Sequence, residues 1–193
     1  MEFSVQTANP AKTETACLLV PVFKGSDLLP TVAKLDDASE RLIGQLLERG
    51  DFDAALGNVQ MVPFAPGLGA ERILLVGLGE REKCQEAAFI KALDAAMAAL
   101  VKLPIDEASV VFGDVPLTDR DAAWKARKVM EAAERAIYRF DQFKSTPAPT
   151  ISLAKLTLNV SDADTVPQVK QGALVGNAIG QGINYTRTLG NLP

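Results

Sequence analysis

Histidine is absent from all 193 residues. That excludes Ser-His and Cys-His nucleophile pairs, His-ligated zinc and an imidazole general base within this chain. Cysteine is nearly absent. Cys17 and Cys84 are too few for a disulfide scaffold and form no zinc-ligand cluster, so a metal here would depend on carboxylates or these two thiols. Long apolar runs are missing too: those at 17–20 and 73–76 are far too short to cross a bilayer. Met1-Glu2-Phe3-Ser4-Val5 lacks the basic stretch and apolar core of a secretory signal. Nor is there a basic excess. Twenty Lys and Arg against 24 Asp and Glu leave a net charge of −4, unlike a nucleic-acid binder. These absences predict a cytoplasmic chain without membrane contact.

What is present is core-forming material. With 48% hydrophobic residues, the chain is long enough for one compact domain with a sizeable core. Alternation predicts a strand over 2–7. The continuous apolar run 16–20 predicts a strand buried on both faces and broken by Pro21 and Gly25. Leu42, Ile43, Leu46 and Leu47 predict one helix over 36–49, stopped by Gly50. Further strands are expected at 58–64, 73–76, 110–112 and 155–160, the last with one wet face because it alternates strictly. Pro66-Gly67-Leu68-Gly69 reads as a turn.

Helical periodicity continues downstream. A helix is expected over 86–102 with Phe89, Ile90, Leu93, Met97, Leu100 and Val101 inward. A longer one is expected from Thr118, with Asp121 in a capping-box position, almost to Phe143. Thr146-Pro147-Ala148-Pro149 reads as a rigid loop, and Thr165 with Gln168 as a capping box that opens the last helix. Strands separated by helices predict an α/β fold with a mixed, mostly parallel sheet sandwiched by helices.

The motifs divide into structural and chemical readings. Gly77-Leu78-Gly79 follows a buried strand as a phosphate loop would. Position 82 is Glu82 rather than a third glycine, and no Lys-Ser/Thr pair follows, so a tight strand-exit turn is the better reading. Gly172, Gly176 and Gly180 recur every fourth residue on one helix face, which lets another backbone approach closely. The helix carrying Arg120, Lys125, Arg127, Lys128, Arg135, Arg139 and Lys144 interleaves acids among the bases, the pattern of a solvated face with i,i+4 pairs. Trp124 and Tyr138 on it read as core or interface residues. Asp36-Asp37 and Asp162/Asp164 read as caps at helix starts. Cys84, near a helix start, reads as a resting thiol. No catalytic, cofactor-binding or metal-ligating position emerges.

The segment Gly172-Ala-Leu-Val-Gly176-Asn-Ala-Ile-Gly180-Gln-Gly-Ile-Asn184-Tyr-Thr-Arg187-Thr-Leu189-Gly-Asn191-Leu192-Pro193 resembles the stretch joining the two domains of cytosol (leucyl) aminopeptidases. There a G-x-x-x-A-x-G-x-N-x-x-R-x-L helix leads into Asn-Leu-Pro, where the catalytic domain begins. Residues 71–80, ending in Val-Gly-Leu-Gly-Glu, are similar to a strand of the family, and Tyr138-Arg-Phe140-Asp-Gln-Phe143-Lys144 to its aromatic-Lys signature. Ile179, Tyr185-Thr186 and Gly190 depart from the usual Ala, Leu-Ala and Val without disturbing the register.

The resemblance implies an N-terminal domain with a fold similar to macro domains, spanning 1–165, followed by a linker helix over 166–193. It also implies a hexameric parent hydrolase that releases N-terminal residues from peptides with two divalent ions, zinc or manganese. The metal ligands and catalytic residues of the family have no matching positions here. The partners implied are the chain's own C-terminal catalytic domain, further copies of itself and peptide substrates. The macro-like fold keeps open a nucleotide or ADP-ribose-type binding module. DNA binding by an assembled basic groove of Arg127, Lys128, Arg135 and Arg139 also stays open, although the net charge disfavours it.

Overall fold

The structure is a computed structural model and describes residues 1–25, 27–146 and 149–192. Among them six strands form one sheet in the order β1-β6-β5-β2-β4-β3. These are β1 (Glu2–Thr7), β2 (Leu18–Phe23), β3 (Val59–Val62), β4 (Ile73–Gly79), β5 (Glu107–Val110) and β6 (Lys155–Val160). Every pairing is parallel except β3 on β4. The helices are α1 (Pro30–Ala38), α2 (Leu42–Arg49), α3 (Glu86–Leu100), α4 (Ala122–Ile137) and α5 (Val166–Asn191). The expected mixed, mostly parallel α/β sandwich is what forms.

The two central strands carry the core. β2 and β4 are buried along their whole length, as continuous apolar runs covered on both faces must be. Phe89, Leu93, Met97 and Leu100 of α3 are fully buried as its periodicity predicts, while Ile90 is half-buried. Phe89 meets the Phe112 ring edge-on at 5.9 Å. α3, α4 and α5 lie side by side on one face; α1 packs on β2 and on the 3-10 turn Pro10–Lys12 on the other.

Several expectations are corrected. β2 runs through Pro21 to Phe23 instead of stopping. Ser109 and Val111 donate to the carbonyls of Cys17 and Leu19, so Pro21 faces the β5 side, beyond the last β5 partner Leu19. No ladder donor is lost there. The single helix expected over 36–49 is two, split where Glu40 and Arg41 take left-handed φ of 56° and 62°. Gly50 does end the second at φ 76°.

Later boundaries shift as well. β5 lies upstream of the expected 110–112, although Val111 and Phe112 stay buried. α4 starts after Asp121, whose carboxylate accepts from the Trp124 N–H at 2.8 Å, and ends at Ile137 rather than near Phe143. The capping box at Thr165 does not form: its hydroxyl donates to the Asp162 carbonyl instead. The proline loop expected over 146–149 lies partly outside the described residues.

The wet face expected on β6 is in fact covered. Thr157 and Asn159 are buried and are matched across the sheet by β1, with Ser4 Oγ 2.9 Å from Thr157 Oγ1 and Gln6 Nε2 donating to Asn159 Oδ1 at 2.9 Å. Alternation in sequence marks two chemically different faces; here the polar one is satisfied inside. The Gly77-Leu78-Gly79 stretch is strand, not exit turn. A Cβ at Gly77 would overlap the Ala54–Ala55 backbone, with the Ala54 carbonyl carbon only 2.6 Å away. That glycine serves close packing and leaves no room for a phosphate.

Candidate functional site

The glycine face of α5 lies directly on α4. A Cβ at Gly172 or Gly176 would fall into the carbonyls of Ala123 and Arg127, and one at Gly180 into the Glu134 side chain. Small residues every fourth position thus set the interaxial distance of this pair, as their spacing predicts. Along the same contact, Asn184 Nδ2 donates to the Glu134 carbonyl at 2.8 Å. Arg187 stacks 4.0 Å from the Tyr138 ring centroid. The Tyr138 hydroxyl is 3.3 Å from Thr188 Oγ1 and accepts from Asn191 Nδ2 at 3.3 Å. Tyr138, which opens the aromatic signature, is therefore tied to Arg187, Thr188 and Asn191 of the terminal motif.

The other side of α5 is uncovered. Leu174, Tyr185 and Leu189 fall on one side of the helix, with Leu192 at its extended C-cap, and the four are 43–67% exposed. One face is committed to α4; the opposite side carries these exposed apolar side chains interleaved with the exposed Gln171 and Gln181.

The remaining motifs resolve into structure. Arg127 and Lys128 each pair with Glu131 at 2.7 Å, and Arg135 pairs with Asp94 at 2.7 Å. Burial pushes Glu131 up, but donation from Arg127 and Lys128 outweighs it and holds the carboxyl below its ordinary range. Arg139 donates to backbone carbonyls of Ala136 and Tyr138. Trp124 packs on Phe89 with Arg120 and Lys128 over its ring.

The acids and thiols follow suit. Asp36 is not at a helix start: it is buried near the end of α1 and accepts from Gly44 N of α2 at 2.9 Å. Asp162 does cap locally, accepting from Asp164 N at 2.9 Å. Burial raises the Cys84 thiol pKa, against a smaller opposing effect of Arg81, which fits a resting thiol. Among the described residues no group of three or more acids and thiols stands together to hold a metal.

A crevice opens at the carboxyl ends of β1, β6 and β5, the end of a parallel sheet where ligands dock. It encloses about 430 Å³ and is lined by Asn9, Thr31, Lys34, Asp114, Asn159 and Ser161 among others. Asp114 organises it. Its Oδ2 accepts from the Thr31 backbone N–H at 2.8 Å and from the Thr31 hydroxyl, and Ser161 Oγ donates to Oδ1 at 3.4 Å. A carboxylate therefore already stands at the N-terminus of α1, where a phosphate would have to go. Sequence reading missed this site, because Asp114 and Ser161 lie in loops with no motif around them.

The fold is an α/β domain of the kind seen within leucine aminopeptidases. A mutant of tomato leucine aminopeptidase superposes with a TM-score of 0.79 at 19% identity, covering 100% of this chain and 38% of that one. The bottromycin maturation enzyme BotP in complex with manganese gives 0.64 at 22% identity, covering 93% and 32%. At these identities the likeness concerns the fold. The sequence decides the family: the pattern of the cytosol aminopeptidase family, N-terminal domain, matches residues 19–147, and the chain belongs to that family. It is 66% identical over 193 residues to the "Probable cytosol aminopeptidase" of Chromohalobacter salexigens, covering 100% of this chain and 38% of that protein. The "Cytosol aminopeptidase" of Pseudomonas aeruginosa is 36% identical with 39% of its length covered. The chain thus spans about two fifths of the length of these relatives. No helix among the described residues is long and apolar enough to cross a membrane.

Proposed function

We propose that this chain is the non-catalytic N-terminal domain of a dinuclear-metal leucyl aminopeptidase, supporting assembly and access to the active site. The observation that carries the reading is α5. Its glycine face fixes it to α4, while the apolar stripe Leu174, Tyr185, Leu189 and Leu192 faces outward with nothing on it. A uniquely packed domain leaves such a stripe where another body covers it. In this reading residues 1–165 form the domain body, and 166–193 lead into a catalytic domain that covers the stripe. The zinc or manganese ions belong to that second domain, whose chemistry these residues do not supply. Hexamer formation, peptide substrates and a cytoplasmic location belong to the whole protein in the same reading.

The test is an assay of the purified chain with a leucine chromogenic substrate in the presence of Mn²⁺ or Zn²⁺. The expected result is no turnover above buffer, with activity appearing in the longer protein. Turnover by the chain alone would overturn the reading.

A further inference from the structure

Lys125 differs from the other lysines of the chain in what its amine meets. It stands in the first turn of α4, and its Nζ donates to the backbone carbonyl of Gly113 at 2.8 Å. Lys83, Lys128 and Lys144 are each paired with a carboxylate. Lys125 has a neutral partner instead, and Asp114 and Asp121 act on it from beyond ion-pair distance. The contact with Gly113 stays open to solvent, so a reagent can reach the amine.

Both ends of that hydrogen bond, Lys125 and Gly113, line a slot of about 110 Å³ beneath α4 and α5. Phe112, Ala126, Val129, Leu158 and Val169 make its wall apolar. The amine is thus set at the edge of an apolar space. Burial lowers its pKa, against smaller opposing effects of Asp114 and Asp121. More of it is therefore neutral and nucleophilic at neutral pH than of an exposed lysine.

The surroundings select the electrophile. After transfer of an acetyl group the nitrogen keeps one N–H for the Gly113 carbonyl, and the methyl group can enter the slot. The volume equals three to four waters at about 30 Å³ each, which suits a short acyl chain. The ammonium charge that burial penalises is removed, and no ion pair is broken. Asp114, Asp121 and Asp162 stand around the amine and the slot and repel an acidic acyl group. We propose that Lys125 is a covalent acylation site for short, uncharged acyl groups carried on a thioester. The neutral Nζ attacks the thioester carbonyl carbon, and the C–N bond forms as the C–S bond breaks. Sulfur leaves with the electron pair as a thiolate, which takes up the proton that the nitrogen gives off. The site goes beyond the peptidase reading and does not depend on it.

The experiment treats the 193-residue chain with the uncharged thioester S-acetyl-N-acetylcysteamine near neutral pH. Mass spectrometry follows acetylation at each lysine, and a parallel sample receives the corresponding succinyl thioester. Lys125 is expected to acetylate at least about fivefold faster than the median of the other lysines, since each unit of lowered pKa makes the neutral amine about tenfold more abundant. With the succinyl thioester that preference is expected to vanish. Ala122 lines the slot one turn before Lys125 and is half-buried, so Ala122→Leu fills the space beside the amine. This variant is expected to bring Lys125 down to the rate of the other lysines while melting like the parent chain. The proposal is overturned if Lys125 acetylates no faster than the others, if the succinyl thioester shows the same preference, or if a folded Ala122→Leu leaves the rate unchanged. Should that variant not fold, the comparison of the two thioesters decides alone. The chromogenic assay reads turnover, which none of these outcomes requires.

Discussion

Gly176 and Gly182 occupy the same helix and differ only in what surrounds them. A Cβ at Gly176 would meet the Arg127 backbone, with its Cα at 2.8 Å, whereas at Gly182 it would meet open space. Gly176→Ala is therefore expected to lose about 1–3 kcal/mol or more by overpacking against a backbone that has nowhere to move. Gly182→Ala is expected to gain up to about 1 kcal/mol from helix propensity. Urea unfolding of the two variants checks both signs at once. Cys17 carries a second residue-scale prediction. Burial raises its thiol pKa from 9.0 to about 12, against a smaller lowering by Arg72. The folded state thus keeps a proton that the unfolded state releases. The resulting stability is present in full below pH 9 and is lost progressively as pH climbs towards 12. The slope is about 1.4 kcal/mol per pH unit in that window. Unfolding measured from pH 8 to 11 should show this decline in the parent chain and a flatter profile in Cys17→Ala.

At the scale of elements, the clamp between α4 and the end of α5 is the decisive contact. Tyr138→Phe removes the hydroxyl shared by Thr188 and Asn191 but keeps the ring under Arg187. Amide exchange at residues 188–191 is expected to quicken markedly, while global stability falls by only about 0.5–1.5 kcal/mol. Uniform exchange along α5 in both proteins would contradict the clamp. Elements were legible in sequence where periodicity was long and unambiguous: α3, the first four residues of β4 and the glycine face of α5 all lie where their residues place them. The misreadings share a cause. Glu40 and Arg41 carry no glycine to announce a left-handed break, so α1 and α2 read as one helix. Thr157 and Asn159 look solvent-facing until Ser4 and Gln6, more than 150 residues earlier, satisfy them. Asp114, which organises the crevice, lies in a loop, and its partner Thr31 is 83 positions away. Local pattern reports which side chains are polar; only the tertiary fold reports whether water reaches them.

At the scale of the molecule, the two ends of the chain are built into the same half of the sheet. The Met1 amino group is buried in an ion pair with Glu134 at 3.0 Å, and β1 is an edge strand held only by β6 within the sheet. α5, which packs on β1 as well as on α4, covers that half from one face. The crevice beside Asp114 also opens at this half of the sheet, at the carboxyl ends of β1, β6 and β5.

The parallel pairing of β1 with β6 also sets an order of events. Glu2 finds its partner Lys155, and Thr7 its partner Val160, only after some 150 intervening residues are available. β1 leaves the ribosome long before its partner β6 and waits for it to be hydrogen-bonded, and closing so large a loop is intrinsically slow. Until then Phe3 and Val5 have no sheet to join, so a nascent chain stalled before residue 155 presents them to whatever chaperone or aggregate is nearest.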